Sequence, residues 1–202
     1  QGDGAEHVLA ALATSTGLEE LILRCCQEIP GHAWAPFSGC RLPALKKAHL
    51  DWCFAEQGDG AEHVLAALAT STGLEELILR CCQEIPGHAW APFSGCRLPA
   101  LERANFDFCF NCQGDGAEHV LAALATSTGL EELSLNDCGQ IPEEAWEVVN
   151  NIEDESQEDG HRSADQQGEA ILAQTPLFEA QEAVSLSATT TSNRSMPCGT
   201  SA

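Results

Sequence analysis

The residues best equipped for chemistry in this 202-residue chain are its 11 cysteines and 7 histidines. Five thiols, Cys26, Cys53, Cys82, Cys109 and Cys138, follow one another at steps of 27, 29, 27 and 29 residues. A zinc ion needs its ligands within about 2 Å, and even spacing along a chain does not gather them. Recurrence in register reads instead as a packed small residue, a structural ladder whose thiols donate weakly to backbone carbonyls. One pair stands apart, Cys109 and Cys112 in "CFNC", the chain's single CxxC. A thiol ahead of a helix N-terminus has a lowered pKa and can exchange disulfides, so a thiol redox protein using Cys109 and Cys112 is the alternative function to weigh. Against it, Glu56 holds the place of Cys112 one module earlier, and no second CxxC or thioredoxin-like context accompanies the pair.

Cys25 and Cys81 directly precede ladder cysteines and should face away from them, while Cys40 and Cys96 fall in loops before the next strands. A disulfide between adjacent ladder positions is within reach of strands about 4.8 Å apart, but it would distort a regular stack. An odd number of cysteines and no secretory leader point to reduced thiols in an intracellular, cytoplasmic protein. His7, His63 and His119 recur on one helix two units apart. At helix-packing distances they would stand roughly 16 to 20 Å from one another, too far to share an ion. No metal and no cofactor are expected.

What must position these groups is a repeat. The stretch "QGDGAEHVLAALATSTGLEEL" occurs at 1–21, 57–77 and 113–133 without a substitution, and residues 1–45 match 57–101 throughout, a period of 56 residues. Each period holds two units. Leu18, Leu21, Leu23 and Cys26 fill the pattern LxxLxLxxC, Leu45, Ala48, Leu50 and Cys53 fill it again, and it returns from Leu74, Leu101 and Leu130. Five strand units emerge, in double-unit modules starting at 1, 57 and 113.

In "EELILR" the alternation sends Leu21 and Leu23 to one side and Glu20, Ile22 and Arg24 to the other, as a half-buried strand requires. In "DGAEHVLAAL" Ala61, Val64, Leu65 and Leu68 follow the spacing of one helical face. Asp59 with Glu62 predicts a capping box, and Gly73 a stop before the next strand. In "IPGHAWAPF" Pro36 lacks an amide donor, so only a short helical turn is expected, packed through Ile29, Trp34 and Phe37. Such units stack with a parallel sheet on one side and helices on the other. One unit cannot bury its own apolar face, which is the physical reason to copy it.

Those motifs resemble the leucine-rich-repeat family, and "GDGAEHVLAALATSTGLEELIL" is similar to the long, helix-containing repeats of the ribonuclease-inhibitor type, over residues 1 to about 150. The chain departs from the common pattern in carrying cysteine at the ladder slot usually held by asparagine, as in the cysteine-containing subclass. The resemblance implies an α/β solenoid, a horseshoe arc over residues 1–151 with a parallel concave sheet and convex helices. It also implies a non-catalytic protein-interaction module or scaffold, as in larger sensor or adaptor proteins that carry this repeat. The chain opens inside a repeat, so a fragment of such a protein is expected.

The formal net charge is −22. Acidic residues outnumber basic ones by 22 to 7 through residue 150 and by 9 to 2 after it. Nucleic acid and anionic membrane are therefore excluded as partners, because phosphate binding draws its affinity from Lys and Arg. No apolar run approaches the roughly 20 residues needed to span a bilayer. Residues 152–202 are expected to form a disordered acidic tail with one apolar island, "AILAQTPLFEAQEAVSL". Asn193 in "NRS" matches a glycosylation acceptor pattern, which the cysteine usage argues against.

The outward strand positions define three columns. The first runs Glu20, Lys47, Glu76, Arg103, Glu132; the second Ile22, His49, Ile78, Asn105, Ser134; the third Arg24, Asp51, Arg80, Asp107, Asn136. Neighbouring strands thus set opposite charges side by side, each pair contributing a few tenths of a kcal/mol. These fifteen residues are the candidate partner-binding face for another protein or peptide. They carry four bases against five acids, so the face is nearly neutral, which weakens a strongly basic partner. There is no tyrosine, and Trp34, Trp90 and Trp146 are expected to be convex or buried, leaving the face without an aromatic anchor. Bare end units also suggest end-to-end self-association.

Overall fold

The computed structural model describes residues 4–146. The expected tail, its apolar island and Asn193 lie outside the described residues. Three α-helices, α1 (Ala5–Ala13), α2 (Ala61–Ala69) and α3 (Ala117–Ala125), alternate along the chain with two 3-10 segments, Gly31–Phe37 and Gly87–Phe93. Each of the five is followed by a short strand: β1 (Glu20–Ile22), β2 (Lys47–His49), β3 (Glu76–Ile78), β4 (Arg103–Asn105) and β5 (Glu132–Ser134). All five strands are parallel and pair in chain order, β1-β2-β3-β4-β5. The fold is therefore α/β, with a repeating, solenoid-like arrangement of α-type units and 3-10-type units.

The helices form because Ala and Leu are strong helix formers and one face of "AEHVLAALA" is apolar. In α2 that face is fully covered, with Val64, Leu65 and Leu68 buried. The expected capping box does not form. The cap of α2 is Gly60 at φ 86, with no side-chain cap hydrogen bond. The reason is close backbone approach between units. A Cβ on Gly60 would lie 2.3 Å from the Gly31 carbonyl oxygen, and one on Gly31 would lie 2.6 Å from the Asp59 Cβ. Packing fixes this turn and leaves no room for reciprocal capping. At the other end the helix closes before Gly73, at Thr70, where the Thr70 and Ser71 hydroxyls both donate to the Ala67 carbonyl at 2.9 Å.

In the 3-10 segments Pro36 and Pro92 are accommodated by the tighter coil, as the sequence implies. Trp34 and Phe37 are buried, with the Trp34 ring 5.0 Å from that of Phe54, and Ile29 packs half-buried at the margin. Trp90, Phe93 and Phe110 repeat the arrangement one module on. The strands alternate as expected, with Leu21, Ala48, Leu77 and Ala104 in the core. Beneath the strands, four ladder cysteines each bridge to the previous unit. Cys53 donates to the Leu23 carbonyl at 2.9 Å, Cys82 to Leu50 at 3.1 Å, Cys109 to Leu79, and Cys138 to Phe106 at 3.1 Å. Each acceptor sits three residues before the previous ladder cysteine, so the thiols stitch neighbouring units in a fixed register. Cys26, on the first strand unit, donates only within its own turn, to Arg24 at 3.4 Å.

Candidate functional site

The helices and 3-10 segments cover one face of the sheet, and the other face carries the three outward columns in the expected register. Glu20 stands beside Lys47, Lys47 beside Glu76, Glu76 beside Arg103 and Arg103 beside Glu132. Within the first column Lys47 reaches Glu20 at 3.3 Å and Arg103 reaches Glu76 at 3.3 Å. The Glu76 carboxylate, bonded to Arg103, raises the pKa of that already basic guanidinium. In the third column Arg24 meets Asp51 at 3.1 Å and Arg80 lies 4.0 Å from Asp107. The basic partners are substantially exposed while Asp51, Glu76 and Asp107 are mostly covered, so solvent screens the bases and keeps these ion pairs weak.

The middle column is where the face becomes specific. His49 is 8% exposed and is held between two charges. Arg24 Nη2 donates to its Nδ1 at 2.9 Å. Because a guanidinium has only donors, Nδ1 accepts, and neutral His49 carries its proton on Nε2. That atom lies 3.3 Å from Glu76 Oε1, near enough for attraction yet off the line of a hydrogen bond. Two units on, Asp107 is the hub. It accepts from Ser134 Oγ at 2.6 Å, from the Asn136 amide at 2.8 Å and from Asn105 Nδ2 at 3.2 Å, while its own amide donates to Asn105 Oδ1 at 2.9 Å. Asn136 Nδ2 in turn donates to Ser134 Oγ at 2.9 Å. His49 and Asp107 are therefore supports that fix their neighbours, and Ile22, Ile78, Arg24 and Arg80 are left exposed or half-exposed on this face.

Sequence reasoning missed the aromatic part of this face. One residue before each ladder cysteine the chain turns through positive φ: Cys25 at 55, Trp52 at 61, Cys81 at 57, Phe108 at 64 and Asp137 at 55 degrees. A bulky side chain in this left-handed region is a conformational outlier. Trp52 and Phe108, 49% and 36% exposed, are projected at the margin of the open face by that turn. Trp52 joins Arg24, Asp51, Ile78, Arg80 and Asn105, with Cys25, around a groove of about 320 Å³. The expectation of a face without an aromatic anchor is thus corrected. The missing signal was the residue preceding the ladder cysteine, where "DWC" and "DFC" break with the "RCC" of the alternate units. The expectation for Trp34 and Trp90 stands, since both are buried, while Trp146 is 36% exposed.

Nine of the described cysteines are free thiols, and Cys109 is one of them, so it is not joined to Cys112. Burial holds the Cys109 thiol far above its usual pKa, and burial likewise raises Cys53 and Cys138. A buried, protonated thiol is inert, the opposite of the exposed thiolate that exchange chemistry needs. Burial pushes Cys96 up to about 11 and raises Cys40 as well. On the helix side, His63 is not gathered with His7 and His119 but lines a cavity of about 390 Å³ with His32 and His88, residues the sequence reading did not single out. His63 Nε2 lies 3.6 Å from Glu62 Oε1. Among the described residues no group of His, Cys, Asp or Glu is arranged to hold a metal ion. Nor is any helix among them long and apolar enough to cross a membrane. No protein-family model matches the chain, and comparison with curated proteins gives no match.

Proposed function

We propose that this chain is a non-catalytic protein-interaction module of the leucine-rich-repeat type, ribonuclease-inhibitor-like in its long units and set in an intracellular protein. Its open sheet face takes another protein or peptide. The observation that carries this reading is the Trp52 groove. An exposed indole in a strained backbone position borders two guanidiniums, Arg24 and Arg80, on a face that the helices leave uncovered. Strained, exposed side chains that a scaffold holds in place are characteristic of recognition sites, and Trp and Arg are the residues that most often anchor interfaces. Regular copying extends such a surface at little cost in new architecture.

The test is selection of a displayed peptide library against the full chain, followed by affinity measurements on variants. Binders should lose at least tenfold in affinity with Trp52→Ala or Arg80→Ala and be unaffected by Val8→Ala on α1. Binders insensitive to every substitution on the open face would overturn the reading. His49→Ala is unsuitable as the primary variant, because removing that support also displaces Arg24 and Glu76.

A further inference from the structure

Backbone pairing between units continues past the last residue of each strand. The amides of Cys25, Trp52, Cys81 and Phe108 donate to the carbonyls of Asp51, Arg80, Asp107 and Asn136, at 2.8, 2.9, 2.8 and 2.9 Å in that order. The positive-φ residues therefore form a row across the sheet at strand spacing, from Cys25 through Trp52, Cys81 and Phe108 to Asp137. Glycine would take this turn without strain, yet Trp and Phe are held in it. Both rings are exposed while Cys81 between them is covered, so they stand apart over a low floor. Adjacent strands lie about 4.8 Å apart, which sets the aromatic positions at a repeat of about 9.6 Å. Beside the row, arginine recurs with the same two-strand period at Arg24 and Arg80. Their side chains are 56% and 53% exposed, whereas the paired Asp51 and Asp107 are 13% and 11% exposed. A ligand lying across the strands thus meets guanidinium first, with the carboxylates behind it.

That repeat tells peptide conformations apart. In polyproline II every third residue returns to the same face, about 9.3 Å along the axis. In an extended strand same-face residues recur at about 6.7 Å, and an α-helix offers 5.4 Å per turn or about 10.5 Å over seven residues. Polyproline II fits within about 0.3 Å per repeat. It also makes no internal hydrogen bonds, so its carbonyls are free acceptors, and aromatic-lined grooves are what its proline rings pack into. Arg24 spends donors on Asp51 and His49, and a guanidinium has five.

We propose that this row is a track for a proline-rich, acidic peptide in the polyproline II conformation. Proline rings at i and i+3 pack against Trp52 and Phe108. Arg80 lies on the strand midway between them, where an acidic side chain at i+1 or i+2 reaches it, and Arg24 takes the acid of the preceding turn. The net charge of −22 opposes an acidic ligand only at long range, where salt screens it over about 10 Å at 0.1 M. This ligand class rests on the open face being the binding surface.

Titration of the full chain at physiological salt with three synthetic peptides of equal length tests it: repeated Pro-Pro-Glu, repeated Pro-Pro-Lys and repeated Ala-Ala-Glu triplets. Pro-Pro-Glu should bind at least tenfold more tightly than either of the others. Trp52→Ala and Phe108→Ala should each weaken it at least tenfold, and Val8→Ala on α1 should leave it unchanged. Equal affinity for Ala-Ala-Glu would overturn the polyproline II geometry, and equal affinity for Pro-Pro-Lys the demand for an acid. A loss with Trp52→Ala but none with Phe108→Ala would overturn the two-ring track while leaving the Trp52 groove as the binding site. Absence of Pro-Pro-Glu binding would overturn the ligand class, and binders from the displayed library that still depend on Trp52 and Arg80 would then keep the open-face reading standing without it.

Discussion

The helices α1 and α2 share nine residues of sequence and the same flanks, yet they occupy different environments. Leu68 is buried without residue and Leu12 only partly; Ser71 is buried and Ser15 is not; Cys82 bridges to Leu50 across a unit boundary while Cys26 stays within its own turn. The difference lies wholly in the neighbour, a 3-10-type unit that packs before α2 and is not present among the described residues before α1. In a stacked array the stability of a unit is the sum of its own propensity and its two interfaces. Matched substitutions in the two copies therefore separate those contributions, since the local sequence cancels.

The largest contrast should come from the core. Leu68→Ala should destabilise the chain by about 2–5 kcal/mol, as cavity-forming truncations of buried leucines do, whereas Leu12→Ala should lose less than half as much. Urea unfolding of the two variants checks this, and equal losses would break the comparison. The glycines should differ in sign. Gly60→Ala places a Cβ in left-handed backbone against the Gly31 carbonyl and should destabilise by about 1–3 kcal/mol. Gly4 is already in a right-handed conformation with open space around it, so Gly4→Ala should stabilise by about 0.4–1 kcal/mol, measurable as opposite shifts in melting temperature.

Thiol chemistry sharpens the same contrast at smaller energy. Cys25 is exposed, while its copy Cys81 is buried and its pKa raised by that burial. A small thiol reagent followed by mass spectrometry of overlapping peptides should modify Cys25 at least tenfold faster than Cys81. The least effect should be a pH dependence. Burial lifts Cys96 from its ordinary 9.0 to about 11. Below pH 9.0 the thiol is protonated whether the chain is folded or not, and its contribution is intact. Between pH 9.0 and about 11 the unfolded chain loses the proton first, so stability falls as pH rises. Cys96→Ser should flatten that slope in denaturant midpoints taken across the window.

Much of the fold was legible because repetition supplies its own alignment. The register of five strands, the inward positions and the ladder thiols all follow from LxxLxLxxC without reference to any partner. The turns were less legible. Asp59 and Glu62 have the spacing of a capping box, but the close approach of Gly60 to Gly31 is a contact between residues 29 apart in the chain, and no local pattern announces it. The candidate site was half legible. Its charge columns are a matter of register, while the projection of Trp52 and Phe108 depends on positive φ at residues that alternation alone would turn inward. The gathering of His32, His63 and His88 likewise depends on stacking a helix between two 3-10 segments.

Amide hydrogen exchange on the unmodified full chain tests the account most directly. It must be resolved by NMR, because the three copies of the 21-residue stretch have one mass. If neighbours decide the state of each unit, the amides of α2 exchange most slowly, those of α3 are close behind, and those of α1 exchange at least tenfold faster. Equal protection in all three helices, or slowest exchange in α1, would contradict it.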